Sequence, residues 1–429
     1  MKKIKLIGID LDLYYKKLKN GLAVYFIPYK YKKNYFLSFA TKFGSIIRDF
    51  AVDDNSEIKT YPLGIAHFLE HKIFEMEDGI DPFQVFNETG TEANANTNYE
   101  VTKYICYGNN SIEKNLEYLL DYVSKPYFTD ENVEKEKGII KQEIEMYDDE
   151  ADWVLDEALR KALFKVHPYR DDIAGTVEEI YKITKEDLYD CYNAFYNPHN
   201  MMLFVAGNID IKKLVSIVDN YDKKYPSKET NPKIKSYNEP DNVYKKKLSI
   251  KHNIVLPKLA YGIKIPLVSL RLDDIVKIKM YLNMFISLKF GGTSLFREKA
   301  LKDELMTALF VECNIIDKFA VLSFFSDTDH SLELLKKIKD ELLKNDIDDS
   351  DIERLKKVWI ASEVQCSDNI RWTVNGLIAD IIKYGDIINN KIDLIRGLNK
   401  KEFYELINNI DFSNSSVVYM NPIDSIKDN

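Results

Sequence analysis

Two histidines and a glutamate stand close together in His67-Phe68-Leu69-Glu70-His71. On a helix, residues four apart share a face, so His67 and His71 project together, as two imidazoles gripping one ion must. Glu70 lies beside the same face, where a carboxylate can take a proton from water. The order is the inverted form of the His-Glu-x-x-His signature. Two imidazoles are one ligand short, because a catalytic zinc takes three protein ligands and a water. Farther on, Val133, Glu136, Ile140, Glu143 and Tyr147 fall at three-and-four spacing and form one helical stripe. Glu136 and Glu143 thus occupy positions that an ordinary helix gives to Leu or Ile. A carboxylate facing a core is costly unless it meets a cation. The pattern predicts one zinc ion per chain, held by His67, His71 and Glu143. Glu70 is the expected general base, and Glu136 a catalytic or supporting carboxylate just outside the ligand set.

Two other chemistries fit the same residues. One is a satisfied buried polar cluster without an ion. The other is an iron site of two histidines and one carboxylate. Glu70, placed to activate water, favours hydrolysis. The remaining histidines carry no metal-ligand spacing: His167 and His199 each adjoin a proline and read as turn residues, and His252 and His330 are isolated. Cys106, Cys191, Cys313 and Cys366 form no Cys-x-x-Cys motif and read as small core residues.

Positioning such a group takes a sizeable scaffold. The chain has 429 residues, 45% hydrophobic and 30% charged, which exceeds one ordinary core and predicts two or three domains. The net charge of −9 argues against a nucleic-acid partner, which usually meets a basic surplus. No run approaches the ~18 apolar residues of a membrane helix. The basic start at Met1 meets Asp10 and Asp12 before any long apolar stretch, unlike a signal peptide. Four separated thiols fit a reducing compartment, so a cytoplasmic location is expected.

Along the chain, Leu22–Ile27 follows an Asn20-Gly21 turn as the second arm of a hairpin. Phe36–Ala40 is the next strand, and a helix spans about Leu63 to Glu75. A short helix from Pro82 to Glu88 ends at Gly90. Residues 93–107 read as one long strand, and 111–124 and 130–165 as two helices. Thr184 caps a helix to Phe195, with Asp187 at the capping-box position. Met202–Gly207 is a buried strand. Residues 226–241, with Pro226, Pro232 and Pro240, form the expected linker between a first half, 1–225, and a second, 242–429. The second half repeats the order in outline: strands near 246–265, a helix near 272–289, a Gly291-Gly292 break and more helix. A strand near 319–325 and helices near 331–344 and 349–365 follow.

The motif and its flanks resemble the pitrilysin and insulin-degrading enzyme family of inverted zinc peptidases, which includes mitochondrial processing peptidase. His67–His71 matches that family's metal helix. Glu136-Lys-Gly-Ile-Ile-Lys-Gln-Glu143 resembles its second metal segment. His167-Pro168-Tyr169, Gly175-Thr176 with Ile180, and Tyr196–Met202 ending at Gly207-Asn208 are similar to the stretches beyond it. The likeness covers most of residues 20–210.

The resemblance implies an α+β fold of two topologically similar halves, each a mainly antiparallel sheet with helices packed on one face. It implies a zinc endopeptidase working on peptides or small unfolded proteins. Two chains, identical or related, would enclose a chamber. The strand Ala93-Asn94-Ala95-Asn96-Thr97 would be the edge strand where substrate adds as an extra strand, with Ala93, Asn94, Ala95 and Asn96 as the contacts. One departure stands out. Active members usually follow a Gly-rich turn and Ser-x-Leu-Phe-like segment with a leucine-arginine pair and then a tyrosine. Here Gly291–Phe296 leads to Leu301-Lys302, with no tyrosine until Tyr384. A non-catalytic or partner-dependent subunit, and a protease dedicated to one leader peptide, are the alternative readings.

Overall fold

The computed structural model describes residues 1–53 and 56–423. The end of the expected second half, 424–429, lies outside the described residues. The chain folds into two compact units. The first comprises Met1–Ile144, Asp172–Ser236 and Val364–Asn390, and the second Glu145–Asp171, Tyr237–Glu363 and the segment from Lys391 onward. The sequence reading divides the chain contiguously, whereas the units interleave its segments.

The main sheet of unit 1 has seven strands: β1 (Lys2–Lys5), β2 (Asp12–Lys17), β3 (Ala23–Pro28), β4 (Tyr35–Thr41), β5 (Glu92–Thr97), β6 (Thr102–Gly108) and β7 (Met201–Gly207). Their order is β1-β2-β3-β7-β4-β6-β5, and only β3 and β7 pair in parallel. Strands β4 and β7 are buried along their whole length, as their unbroken apolar runs require. On one face lies a core that includes α1 (Ile65–Lys72), α2 (Ile112–Val123), the buried side of α3 (Asp130–Asp149), α5 (Lys185–Phe195) and α6 (Ile211–Lys224). Helix α4 (Ala151–Leu163) belongs to unit 2.

The sheet of unit 2 has five strands: β8 (Lys247–His252), β9 (Lys258–Pro266), β10 (Leu309–Ile316), β11 (Phe319–Asp327) and β12 (Ser415–Pro422). Their order, β8-β12-β9-β11-β10, repeats β3-β7-β4-β6-β5 pair for pair, down to the single parallel pairing at β8–β12. The helices repeat as well. Helices α7 (Ile275–Phe290), α8 (Ser331–Leu342), α9 (Asp349–Asp368), α10 (Ile370–Tyr384) and α11 (Lys400–Ile407) follow in the order of α1, α2, α3, α4 and α5. The fold is α+β with two topologically similar halves.

Each sheet also receives one helix on its opposite face. In unit 1, α10 packs Ile370, Val374, Leu377, Ile378 and Ile381 against Phe36, Ala40, Phe204 and Ala206. In unit 2, α4 packs on β9 and β12. Gly262 of β9 makes the room, since a Cβ there would meet Leu163 Cδ1 at 2.8 Å and Leu159 Cδ1 at 3.0 Å. The two helices hold equivalent places in the repeat, so the exchange is reciprocal.

Local corrections have local causes. Residues 93–107 form a hairpin, β5–β6, because Asn98 Oδ1 accepts the backbone N–H groups of Glu100 and Val101 and turns the chain. Residues 130–165 form two helices that break at Glu150, whose backbone is extended. Asp148, Asp149 and Glu150 crowd the negative end of the first helix dipole there. The capping box of Thr184 and Asp187 is present.

Within the expected linker, Lys233–Ile234 pairs with Asp49–Ala51. Glu239 is buried and accepts the backbone N–H groups of Lys165, Val166 and His167. Its other partner is the fully buried Lys264 ammonium at 2.6 Å. Removing one member of a buried ion pair leaves the other charge uncompensated. Lys264→Met is therefore expected to destabilise the protein by about 3–5 kcal/mol, read by chemical denaturation, with Lys264→Met/Glu239→Gln less destabilised than the single variant.

Candidate metal centre

Helix α1 begins at Gly64, which holds φ +85°. A Cβ on Gly64 would stand 2.2 Å from the Ala174 carbonyl, and one on Gly175 (φ +80°) would stand 2.5 Å from the Leu63 carbonyl. The two glycines let the loop before α1 press against the loop at 174–175 and so fix where the helix starts. Ile65, Ala66, Phe68 and Leu69 bury the helix on most sides, which leaves His67, Glu70 and His71 to find polar partners.

Helix α3 supplies them. One donor atom each from His67, His71 and Glu143 lies within 4.8 Å of the others, and this is the one such group found among the described residues. His67 Nε2 stands 3.7 Å from Glu143 Oε1, and His71 Nε2 stands 3.5 Å from Glu143 Oε2. Both distances are long for hydrogen bonds. The far nitrogen of His67, Nδ1, is buried without a hydrogen-bond partner. Donor atoms that converge without bonding one another suit a cation, and two imidazoles with a carboxylate are a zinc-type ligand set.

Around these three, two carboxylates are held in place. Glu136 Oε1 accepts from His71 Nδ1 at 3.0 Å, which leaves Nε2 free to face Glu143. A carboxylate behind a ligating imidazole fixes its tautomer and raises its basicity. Glu70 is buried, and Oε2 accepts the Thr97 hydroxyl at 2.6 Å. Thr97 ends β5, the edge strand of the unit 1 sheet. Along that strand Ala93 and Ala95 pack partly on the core, while Asn94 and Asn96 are exposed.

The electrostatics follow from burial and neighbours. Burial, helped by the charge of His71, pulls His67 down to about 3. His67 is thus neutral, with its lone pair available, at any ordinary pH. Burial also opposes charge on His71, but the hydrogen bond and charge of Glu136 outweigh it and raise His71. For Glu136, burial is outweighed by His71 and Lys72, and its carboxyl is lowered. Burial raises Glu70, against the Thr97 hydrogen bond. A carboxyl lifted in this way is suited to both taking and returning a proton.

Every candidate residue for the metal and its chemistry is therefore brought together: His67, Glu70, His71, Glu136 and Glu143. Ala93, Asn94, Ala95 and Asn96 lie on the edge strand that leads into Glu70 through Thr97. Of the other histidines, His167 accepts from the Tyr169 N–H, His199 turns onto Asn197, and His252 meets the Asp148 carbonyl. Cys106, Cys191 and Cys313 are buried, and Cys366 is partly exposed. Two roles escaped the sequence reading. Thr97 was read only as the end of the edge strand, because no spacing signal ties it to Glu70. Lys72 had a signal: a lysine directly after His71 inside an apolar run, and it is wholly buried.

Among the described residues the repeat has no second centre. Helices α3 and α9 are both 20 residues long, and the ion pairs Glu134–Lys137 and Glu353–Lys356 occupy the same helical positions. In that register Leu355 stands at the place of Glu136 and Ser362 at the place of Glu143. The departure noted at Leu301-Lys302 falls at the end of a short helix capped by Ser294, and Tyr384 closes α10.

Residues 56–177 match the model for insulinase, peptidase family M16, and residues 182–358 match the model for the peptidase M16 inactive domain. A Bacillus subtilis protein described as the uncharacterized zinc protease YmfH is 42% identical over 295 residues, covering 68% of this chain and 69% of that one. The chain belongs to peptidase family M16. Among solved structures, an M16-like peptidase from Alicyclobacillus acidocaldarius superposes with a TM-score of 0.91 at 27% identity. That match covers 97% of this chain and all of the other. The periplasmic protease PqqL of Escherichia coli shares the fold at 17% identity and a TM-score of 0.75. There 98% of this chain matches 48% of the longer one. No helix among the described residues is long and apolar enough to cross a membrane.

Two outcomes test the cluster. Glu143→Ala should weaken zinc binding by more than about 100-fold, beyond the usual cost of losing an outer partner, as read by metal-buffered titration. Protons compete with an ion at His71, which is raised, far more than at His67, which is lowered to about 3. Zinc affinity should therefore rise with pH where His71 loses its proton. Calorimetry in buffers of different ionisation enthalpy measures the protons released, and an affinity that falls as pH rises would contradict the assignment.

Proposed function

We propose that this M16 chain is a zinc-dependent endopeptidase that hydrolyses peptides held as an added strand on β5. The convergence of His67, His71 and Glu143 beside Glu70 is the observation that carries this reading. The names of the relatives as zinc proteases support it. When bound, zinc supplies Lewis acidity, polarising both water and the scissile carbonyl.

The chain's own residues do the rest. Glu70 takes a proton from the attacking water and returns it to the leaving amine. Thr97 fixes the carboxylate for that transfer. Glu136 holds the His71 ring in the tautomer that offers Nε2. An extended peptide pairing with the free edge of β5, along Ala93–Asn96, gains backbone hydrogen bonds without demanding one sequence. The same strand then delivers the peptide toward Thr97 and Glu70.

The match to about half of PqqL supports a two-chain assembly in which a second, identical or related chain completes a chamber. The four free thiols support a reducing compartment, such as the cytoplasm. A second reading, a subunit that needs its partner for turnover, draws on the substitution of Leu301-Lys302 where active relatives are expected to carry leucine and arginine.

The test is cleavage of a mixed peptide library by the purified, zinc-loaded protein. Glu70→Gln should abolish turnover, by at least about 100-fold, while keeping its zinc. A Glu70→Gln protein that cleaves at the normal rate would refute the base assignment. No cleavage by the zinc-loaded wild type would favour the partner-dependent reading.

A further inference from the structure

Lys72 follows His71 on α1 and is fully buried. An ammonium in an apolar interior costs several kcal/mol unless its donors are matched. All three N–H groups of Lys72 have partners: Glu75 Oε2 at 2.7 Å, the Asn132 carbonyl at 3.0 Å and Glu136 Oε2 at 3.5 Å. The other oxygen of Glu136 holds His71 Nδ1. A continuous chain thus runs from Lys72 through Glu136 to a ligand ring. Glu136 meets His71 with one oxygen and Lys72 with the other, and Lys72 is the cation it shares with Glu75.

The geometry points to Lys72 as a positioning residue of the metal centre, acting through Glu136. It rests on the zinc reading above but is not implied by it, since the ligand set is complete without a lysine. The bland alternative is a structural staple: the Asn132 contact ties α1 to the first turn of α3, and this could be its whole role. The two differ in what they predict for metal binding. A staple lends stability alone. A positioning residue sets how firmly Glu136 orients His71, and losing such an outer partner typically weakens metal binding about 10–100-fold.

The experiment measures zinc affinity by competition with a chromophoric chelator, and the visible absorption of the cobalt-substituted protein, for wild type, Lys72→Met, Glu136→Gln and Lys72→Met/Glu136→Gln. Lys72→Met should weaken zinc by about 10–100-fold and shift the cobalt bands. In the Glu136→Gln background, where a neutral amide oxygen still faces His71, the same change should cost no more than about twofold, the scatter expected of independent sites. Zinc affinity and cobalt bands unchanged in a folded Lys72→Met protein would overturn the proposal and leave the staple. Should Lys72→Met fail to fold, the double variant decides. Affinity equal to that of Glu136→Gln supports action through Glu136, and a tenfold weaker affinity overturns it. A wild type that binds neither zinc nor cobalt would refute the metal reading itself, a result distinct from all the others.

Discussion

A carboxylate packed against an apolar interior needs a cation or a hydrogen-bond donor, and this chain gathers Glu70, Glu136 and Glu143 beside one buried helix. That constraint organises unit 1. It places α3 against α1, because Glu136 and Glu143 must face the imidazoles of His67 and His71. It sets the end of β5, because Glu70 must meet the Thr97 hydroxyl. It explains a lysine sealed in the core at position 72. Side chains that would be faults in an ordinary packed core become mutually supporting once a dication is counted among the partners.

The internal repeat shows what the same framework does without that constraint. Unit 2 keeps the strand order, the single parallel pair and the sequence of helices. At the position of Glu136 on α3, α9 carries Leu355, which joins the unit 2 core. Fold and chemistry are separable here: the framework tolerates either a charged cluster or a leucine, provided each charge has its counterpart.

Much of this was legible in the sequence, and the reason is periodicity. His67 and His71 share a helical face by spacing alone, and the glutamates seven apart on α3 stood out because apolar neighbours framed them. The capping box at Thr184 and the turn at Asn20-Gly21 are local signals and were read locally. The break at Glu150 and the turn at Asn98 were missed, because each depends on one backbone or side-chain interaction rather than on a pattern. Strand β10 and everything beyond about 370 went unassigned, since half-buried helices such as α10 blur their apolar stripe. The interleaving of segments between units was out of reach, because it depends on which sheet face a helix covers. The Glu136–Lys72 contact joins residues 64 positions apart, and no spacing rule reaches so far.

The reciprocal exchange of α4 and α10 has a consequence for how such a protein can be taken apart. A gene cut at the connection between the repeats would yield two fragments that are each complete in strand order. Each would nonetheless leave one side of its sheet bare, with Phe36 and Phe204 exposed in the first fragment and the Gly262 side of β9 in the second. The duplicated halves are thus not modules that can be traded singly. They are bound into one inheritance, in which a change to either exchanged helix must be accepted by the other repeat's sheet.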